Sequence, residues 1–245
     1  GGYGMRNRRM NVESAGKTQM KTKSLVLYLV LANGITWVGW ILSMSVSSRA
    51  GFLLPTIENL PLLFQTGFES GLHAVISAVF TLSVFGPLIG AAAAVRMDRG
   101  STGLRDLWKS ATRWRIPARW YGLALGLALV LAVIPALVAV LTGTAEFRSD
   151  RLAAFLPVAG ILLVSQFFTS GLGEEPGWRG YLLSFLRNRF DPEKSIWILG
   201  LIWAVWHYPF TAYHTLQAVS SNPTAAVVVT VLFSLAGQTM SLIGI

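Results

Sequence analysis

The chain is predicted to be all-α: a polytopic membrane helix bundle with about six transmembrane helices. Three observations carry that expectation. Apolar windows of about 20 residues recur along the 245-residue chain, and that is the length a helix needs to cross a bilayer core. Charge is scarce inside those windows, with charged residues at 13% of the chain and apolar ones at 53%. The 20 Lys and Arg, against 11 Asp and Glu, gather between the apolar runs. There they act as topology signals and meet anionic lipid headgroups, so the basic balance implies a lipid bilayer and no nucleic acid. The absence of cysteine excludes a disulfide framework, a thiolate metal site and a cysteine nucleophile.

Gly1 to Lys23 is polar and basic and is expected to be a cytosolic tail. Residues 24–245 are expected to form the transmembrane domain. The first span is Leu25 to about Val46, longer than the roughly 7–15 residues of a signal-peptide core. Phe52 to Leu54 and Leu60 to Phe64 are too short to span and are placed at the interface. Leu72 to Val95 is the second span, and His73 sits at its outer boundary. Arg96 to Arg119 interleaves seven basic residues with Trp108 and Trp114, the mark of an interfacial amphipathic segment. Trp120 to Thr142 is the third span, kinked at Pro135. Leu152 to Leu172 is the fourth. Asp191-Pro192-Glu193 is a helix start, and Ser195 to Tyr213 is the fifth span. Ser220 to Pro223 is a turn, and Thr224 to Ile245 is the sixth span.

Lys/Arg bias orients the bundle. The tail, the Arg96–Arg119 segment and the Gly180–Lys194 segment are basic, whereas the alternate loops carry only Arg49, Arg148 and Arg151. The N-terminus is therefore expected in the cytosol, in a multi-pass integral membrane protein.

The fourth span runs into Gly173-Glu174-Glu175-Pro176-Gly177-Trp178-Arg179-Gly180. An acidic residue at a helix centre costs roughly 2.5–3.5 kcal/mol on insertion scales, less near an end. Two adjacent ones point to a function. His207 lies twelve residues into the fifth span, about 18 Å deep at the rise of an α-helix. For the two to meet, the fourth helix must continue through Arg179 to about Phe190. In such a helix Glu175 and Arg179 stand four apart on one face, acid before base, and form an ion pair. Glu174 is turned about 100° away and is left free. A free glutamate beside an imidazole is the division of labour that general-base activation of water needs. Taken alone, His207 among Trp203 and Trp206 is also what a satisfied core histidine looks like. His73 and His214 are placed at the interface.

Glu174-Glu175-x-x-x-Arg179, followed by the aromatic-x-x-x-His element Trp203 to His207, resembles the CPBP intramembrane proteases. That family includes CAAX prenyl endopeptidases and the bacterial Abi and bacteriocin-immunity proteins. The CPBP/Abi-like core is placed around residues 152–245. The resemblance implies an all-helical bundle around a cavity open to the cytosol, an endopeptidase acting near the cytosolic face, and a peptide or membrane-protein substrate. It implies Glu174 and His207 as the catalytic pair that activates water, with Glu175 and Arg179 supporting them. The metalloprotease label makes a divalent metal such as zinc the candidate cofactor. The sequence names two ligands where a catalytic zinc usually has three.

Two departures stand out. Trp203 takes a position where the family usually has phenylalanine. The family's later His-x-x-x-Asn element, associated with oxyanion stabilisation, has no counterpart: His214 is followed four on by Ala218. The expectation is a chain lacking that C-terminal motif, either cut short before it or degenerate. The second reading is a non-catalytic membrane immunity or regulatory protein that binds a partner, with the same residues as a buried polar network. A small transporter has less support, since no internal repeat is present.

Overall fold

The computed structural model describes residues 21–113, 115–143 and 149–219, together with Thr224 and Val228. Every element among them is a helix. The expected tail up to residue 20 lies outside the described residues, as does the expected sixth span apart from Thr224 and Val228. The chain divides into two units, residues 112–166 and the remainder.

In the larger unit, helix α1 (Thr22–Ala50) is the central element. Its buried stripe is Ser24, Tyr28, Ala32, Thr36, Trp40, Ser43 and Ser47, while Val26, Val30, Val38, Ile41 and Leu42 point outward. A helix on a soluble core shows the reverse pattern. Hydroxyls and small residues inside, aliphatics outside, is how helices pack where the surroundings are as apolar as leucine. By length and composition α1 can cross a membrane.

Helix α2 (Leu60–Thr66) is short, and α3 (Gly71–Ser83) and α4 (Gly86–Ala111) follow it. The second span was expected as one run from Leu72 to Val95. It is instead broken after Ser83, with a bend of 48° between α3 and α4. The cause is Pro87, which has no N–H to give the carbonyl of Ser83 four residues back. Thr36 Oγ1 on α1 supplies the missing donor at 2.7 Å. In hydrocarbon an orphaned carbonyl costs several kcal/mol, so this side chain makes the break tolerable. Taken as one bent span, α3 and α4 give a second membrane-crossing candidate among the described residues. The Arg96–Arg119 segment is helical as far as Ala111, turning at Gly100 with φ 62°.

His73, expected at the interface, is fully buried within the protein. Its Nδ1 accepts from the Glu69 N–H at 3.2 Å, so Nε2 carries the proton and donates to Leu53 O at 2.7 Å. Phe52 stacks on the ring at 4.7 Å. The histidine pins the loop after α1 onto the start of α3.

The smaller unit holds α5 (Ala118–Leu141) and α6 (Ser149–Gln166). α5 matches the expected third span and leaves Leu125, Ile134 and Leu141 exposed on different faces.

Back in the larger unit, two wide-turn segments, π1 (Phe167–Glu174) and π2 (Pro176–Leu182), lead into α7 (Leu183–Arg187). The expected continuation of helix past the glutamates is present through Arg187, with π geometry as far as Leu182 and α geometry from Leu183. Pro176 cannot donate a backbone bond, and four glycines between 171 and 180 relax the turn. π2 packs closely on α4: a Cβ on Gly177 would fall 2.6 Å from the backbone of Pro87. Gly177→Ala is therefore expected to cost about 1–3 kcal/mol. Thermal unfolding in micelles checks this, with Gly34→Ala as the control, because no atom lies within 4 Å of a Cβ there.

Helix α8 (Pro192–Trp206) begins where expected, with Asp191 capping the Lys194 N–H at 2.9 Å. That bond, with the Lys194 ammonium, holds the exposed Asp191 carboxyl below the ordinary aspartate range. The cap's contribution is thus complete above the ordinary aspartate value and is lost as pH falls through the lowered one. The fifth span was expected unbroken from Ser195 to Tyr213. It is interrupted at His207, and α9 (Tyr208–Val219) follows. Here the cause is Pro209, which cannot donate to Val205 O. Trp37 Nε1 on α1 reaches the neighbouring carbonyl of Trp206 at 3.0 Å.

Candidate active site

Glu174 ends π1 and is 8% exposed. Trp203 Nε1 donates to its Oε2 at 3.4 Å, and Ser170, one turn earlier, also hydrogen-bonds to the carboxylate. No cation pairs with Glu174 among the described residues. Glu175 is treated differently. It is half-exposed, and Arg179 Nη1 bonds to both of its carboxylate oxygens. The two neighbours are thus divided as their spacing suggests: one glutamate is neutralised, the other is buried without a counter-charge. At this exposure the ion pair adds at most a few tenths of a kcal/mol to stability. Its consequence is that Glu175 does not compete with Glu174.

His207 occupies the joint between α8 and α9. Its Nδ1 lies 3.1 Å from Trp203 O. A carbonyl only accepts, so Nδ1 carries the proton and Nε2 keeps its lone pair. The ring is walled by Trp203 at 4.1 Å and Trp206 at 4.5 Å, both edge-on, with Trp40 at 6.2 Å. Trp203 therefore touches both candidate side chains. Its indole N–H meets Glu174, and its carbonyl fixes the tautomer of His207. No direct hydrogen bond joins Glu174 to His207 among the described residues.

The wall beneath is aromatic. Trp178 and Trp206, 1% and 0% exposed, meet edge-to-face at 5.6 Å, and Trp206 packs on Trp40 at 4.9 Å. Tyr28 of α1 closes on Trp178 at 5.8 Å. This wall excludes water from one side of the glutamate, while His207 remains partly exposed on the other.

Sequence reasoning passed over Trp203 as a mild departure from a phenylalanine, and it passed over Trp37 and Tyr28 altogether. The indole N–H was the available signal for Trp203, since phenylalanine has nothing to donate. Among the described residues no contact brings His214 to this group: its ring lies against Phe210 at 4.3 Å, and its Nε2 has no hydrogen-bond partner there. Among the described residues the donors for a metal are few. Glu174 and His207 supply two, Glu175 is held by Arg179, and the described residues contain no group of three or more metal-ligating side chains. A catalytic zinc takes three.

The larger unit is thus helical, with one helix long and apolar enough to cross a membrane, and Trp203 meets both the buried Glu174 and His207. Residues 155–244 match the family described as type II CAAX prenyl endopeptidase Rce1-like. The matched segment contains Glu174, Glu175, Arg179 and His207. Comparison with curated proteins and with solved structures gives no match.

Proposed function

We propose that this chain is an intramembrane endopeptidase in which Glu174 is the general base and His207 orients the attacking water. The observation that carries this reading is the buried carboxylate of Glu174 without a cation, beside a Glu175 that Arg179 has neutralised. In the proposed step a water gives one hydrogen to Glu174 and points the other at Nε2 of His207. Its oxygen attacks the peptide carbonyl carbon. The proton taken by Glu174 then passes to the leaving amine nitrogen as the C–N bond breaks. Proton transfer by a positioned group is worth about 10²–10⁴ in rate. The matched family's description names a prenylated CAAX substrate, so a peptide ending in a prenylated cysteine motif is the first candidate.

The chain is tested whole, in proteoliposomes, on a quenched fluorescent peptide in two forms, one carrying a C-terminal farnesyl-cysteine motif and one without the lipid. The expected product is cleaved by addition of one water across a peptide bond. A folded protein that cleaves neither form would sink the endopeptidase reading.

The Lys/Arg distribution supports six spans with the N-terminus in the cytosol, and the motif wording resembles bacterial family members. The chain has no cysteine of its own, so single labels are clean. Asn188→Cys is expected to react with an impermeant maleimide only from the cytosolic side, and Glu58→Cys only from the opposite side. Labelling from the reversed sides overturns the orientation.

A further inference from the structure

An open groove of about 610 Å³ runs between the second half of α1 and the first turns of α9. That volume falls among those of small-molecule sites. Its walls are graded. Trp37, Ile41, Met44, Tyr208, Pro209 and Ala212 line the stretch nearest the joint at His207. At the far end stand Ser45, Ser48, Arg49 and Tyr213, where Ser48 Oγ lies 3.4 Å from Tyr213 Oη. Arg49 sits in the last turn of α1, is exposed, and has no carboxylate partner among the described residues.

We propose that this groove is a phospholipid site, in which one acyl chain lies along the apolar stretch and the headgroup phosphate is held by Arg49. The charge argument selects the occupant. A guanidinium without a carboxylate binds a phosphodiester through paired N–H donors, and the hydroxyls of Ser45 and Ser48 are at the same end to meet ester and phosphate oxygens. The rest of the groove offers an acyl chain aromatic and aliphatic contacts and almost nothing polar. An uncompensated cation favours a headgroup of net negative charge, such as phosphatidylglycerol, over a zwitterionic one. The ligand is a component of the bilayer, and the site is independent of whether the chain hydrolyses peptides.

Occupancy bears on the centre described above. Trp37 is one wall of the groove and also donates to Trp206 O, and Tyr208 and Pro209 directly follow His207. A chain seated there braces the joint from the lipid side.

The test is native mass spectrometry of the full chain, released from micelles supplied with equimolar phosphatidylglycerol and phosphatidylcholine. The wild type is expected to retain one phosphatidylglycerol in preference to phosphatidylcholine. Arg49→Gln is expected to lower that retention about tenfold, the effect of one charge-assisted hydrogen bond, and Arg49→Lys to restore part of it. Met44→Trp, which fills the apolar stretch, is expected to abolish retention while circular dichroism stays unchanged. Equal retention of the two lipids, or retention unaffected by both Arg49→Gln and Met44→Trp, overturns the proposal. So does a retained molecule that carries no phosphate, or a groove blocked in the wild type by the chain's own C-terminal residues.

Discussion

Replacing Glu174 with glutamine is expected to lower the turnover of peptide cleavage by about 10²–10⁴-fold and to leave the fold intact. The amide is isosteric with the carboxylate and still presents an oxygen to the Trp203 indole 3.4 Å away. What it lacks is a site for the water's proton. Stability should hold or rise, because the native carboxylate is buried without a cation and its removal relieves a desolvation cost. Thermal unfolding and turnover measured on the same preparation therefore separate the two readings of this residue. An inactive protein with an unchanged or higher midpoint supports the general base. Normal turnover would falsify that role, and a collapsed midpoint would make Glu174 a structural member of a buried network.

The second large effect falls on His207, where two substitutions divide the ring into halves. Asparagine places its amide near Nδ1 and can still donate to Trp203 O, so α8 and α9 stay joined as before. It offers nothing at the position of Nε2. Glutamine reaches that position with an amide group. The expectation is that His207→Asn is folded but loses at least about 10²-fold in turnover, and that His207→Gln recovers part of the loss. If His207→Asn turns over normally, the free face of the ring is irrelevant and the histidine is a core residue held by its tryptophans.

Much of this was legible in the residues. The apolar runs and the basic segments between them announced the helices, and Asp191-Pro192 announced the start of α8. The Glu175–Arg179 pair followed from a spacing of four. The breaks were less legible, although Pro87 and Pro209 stood in plain view within expected spans. A proline says that a carbonyl is freed, but not whether a distant side chain arrives to satisfy it. Thr36 does so from about fifty residues away in sequence, and Trp37, about one hundred seventy residues away, reaches the next carbonyl along, that of Trp206. The wide turns around Glu174 were hidden for a related reason. Glycines and Pro176 permit π geometry, but the close approach of Gly177 to Pro87 belongs to the tertiary structure. The burial of His73 was not legible because the loop that covers it, through Phe52 and Leu53, is a tertiary feature.

Thr36 and Trp37 are consecutive residues on α1. One closes the break after Ser83, and the other holds the last carbonyl before His207. The first helix carries none of the acid–base residues and lies wholly outside the matched segment, residues 155–244. It nonetheless fastens both interrupted segments at their weakest points. The stretch that a sequence family recognises is thus smaller than the piece of chain that holds the site together. An excised 155–244 fragment would carry the motif letters without the clasp that gives them their geometry.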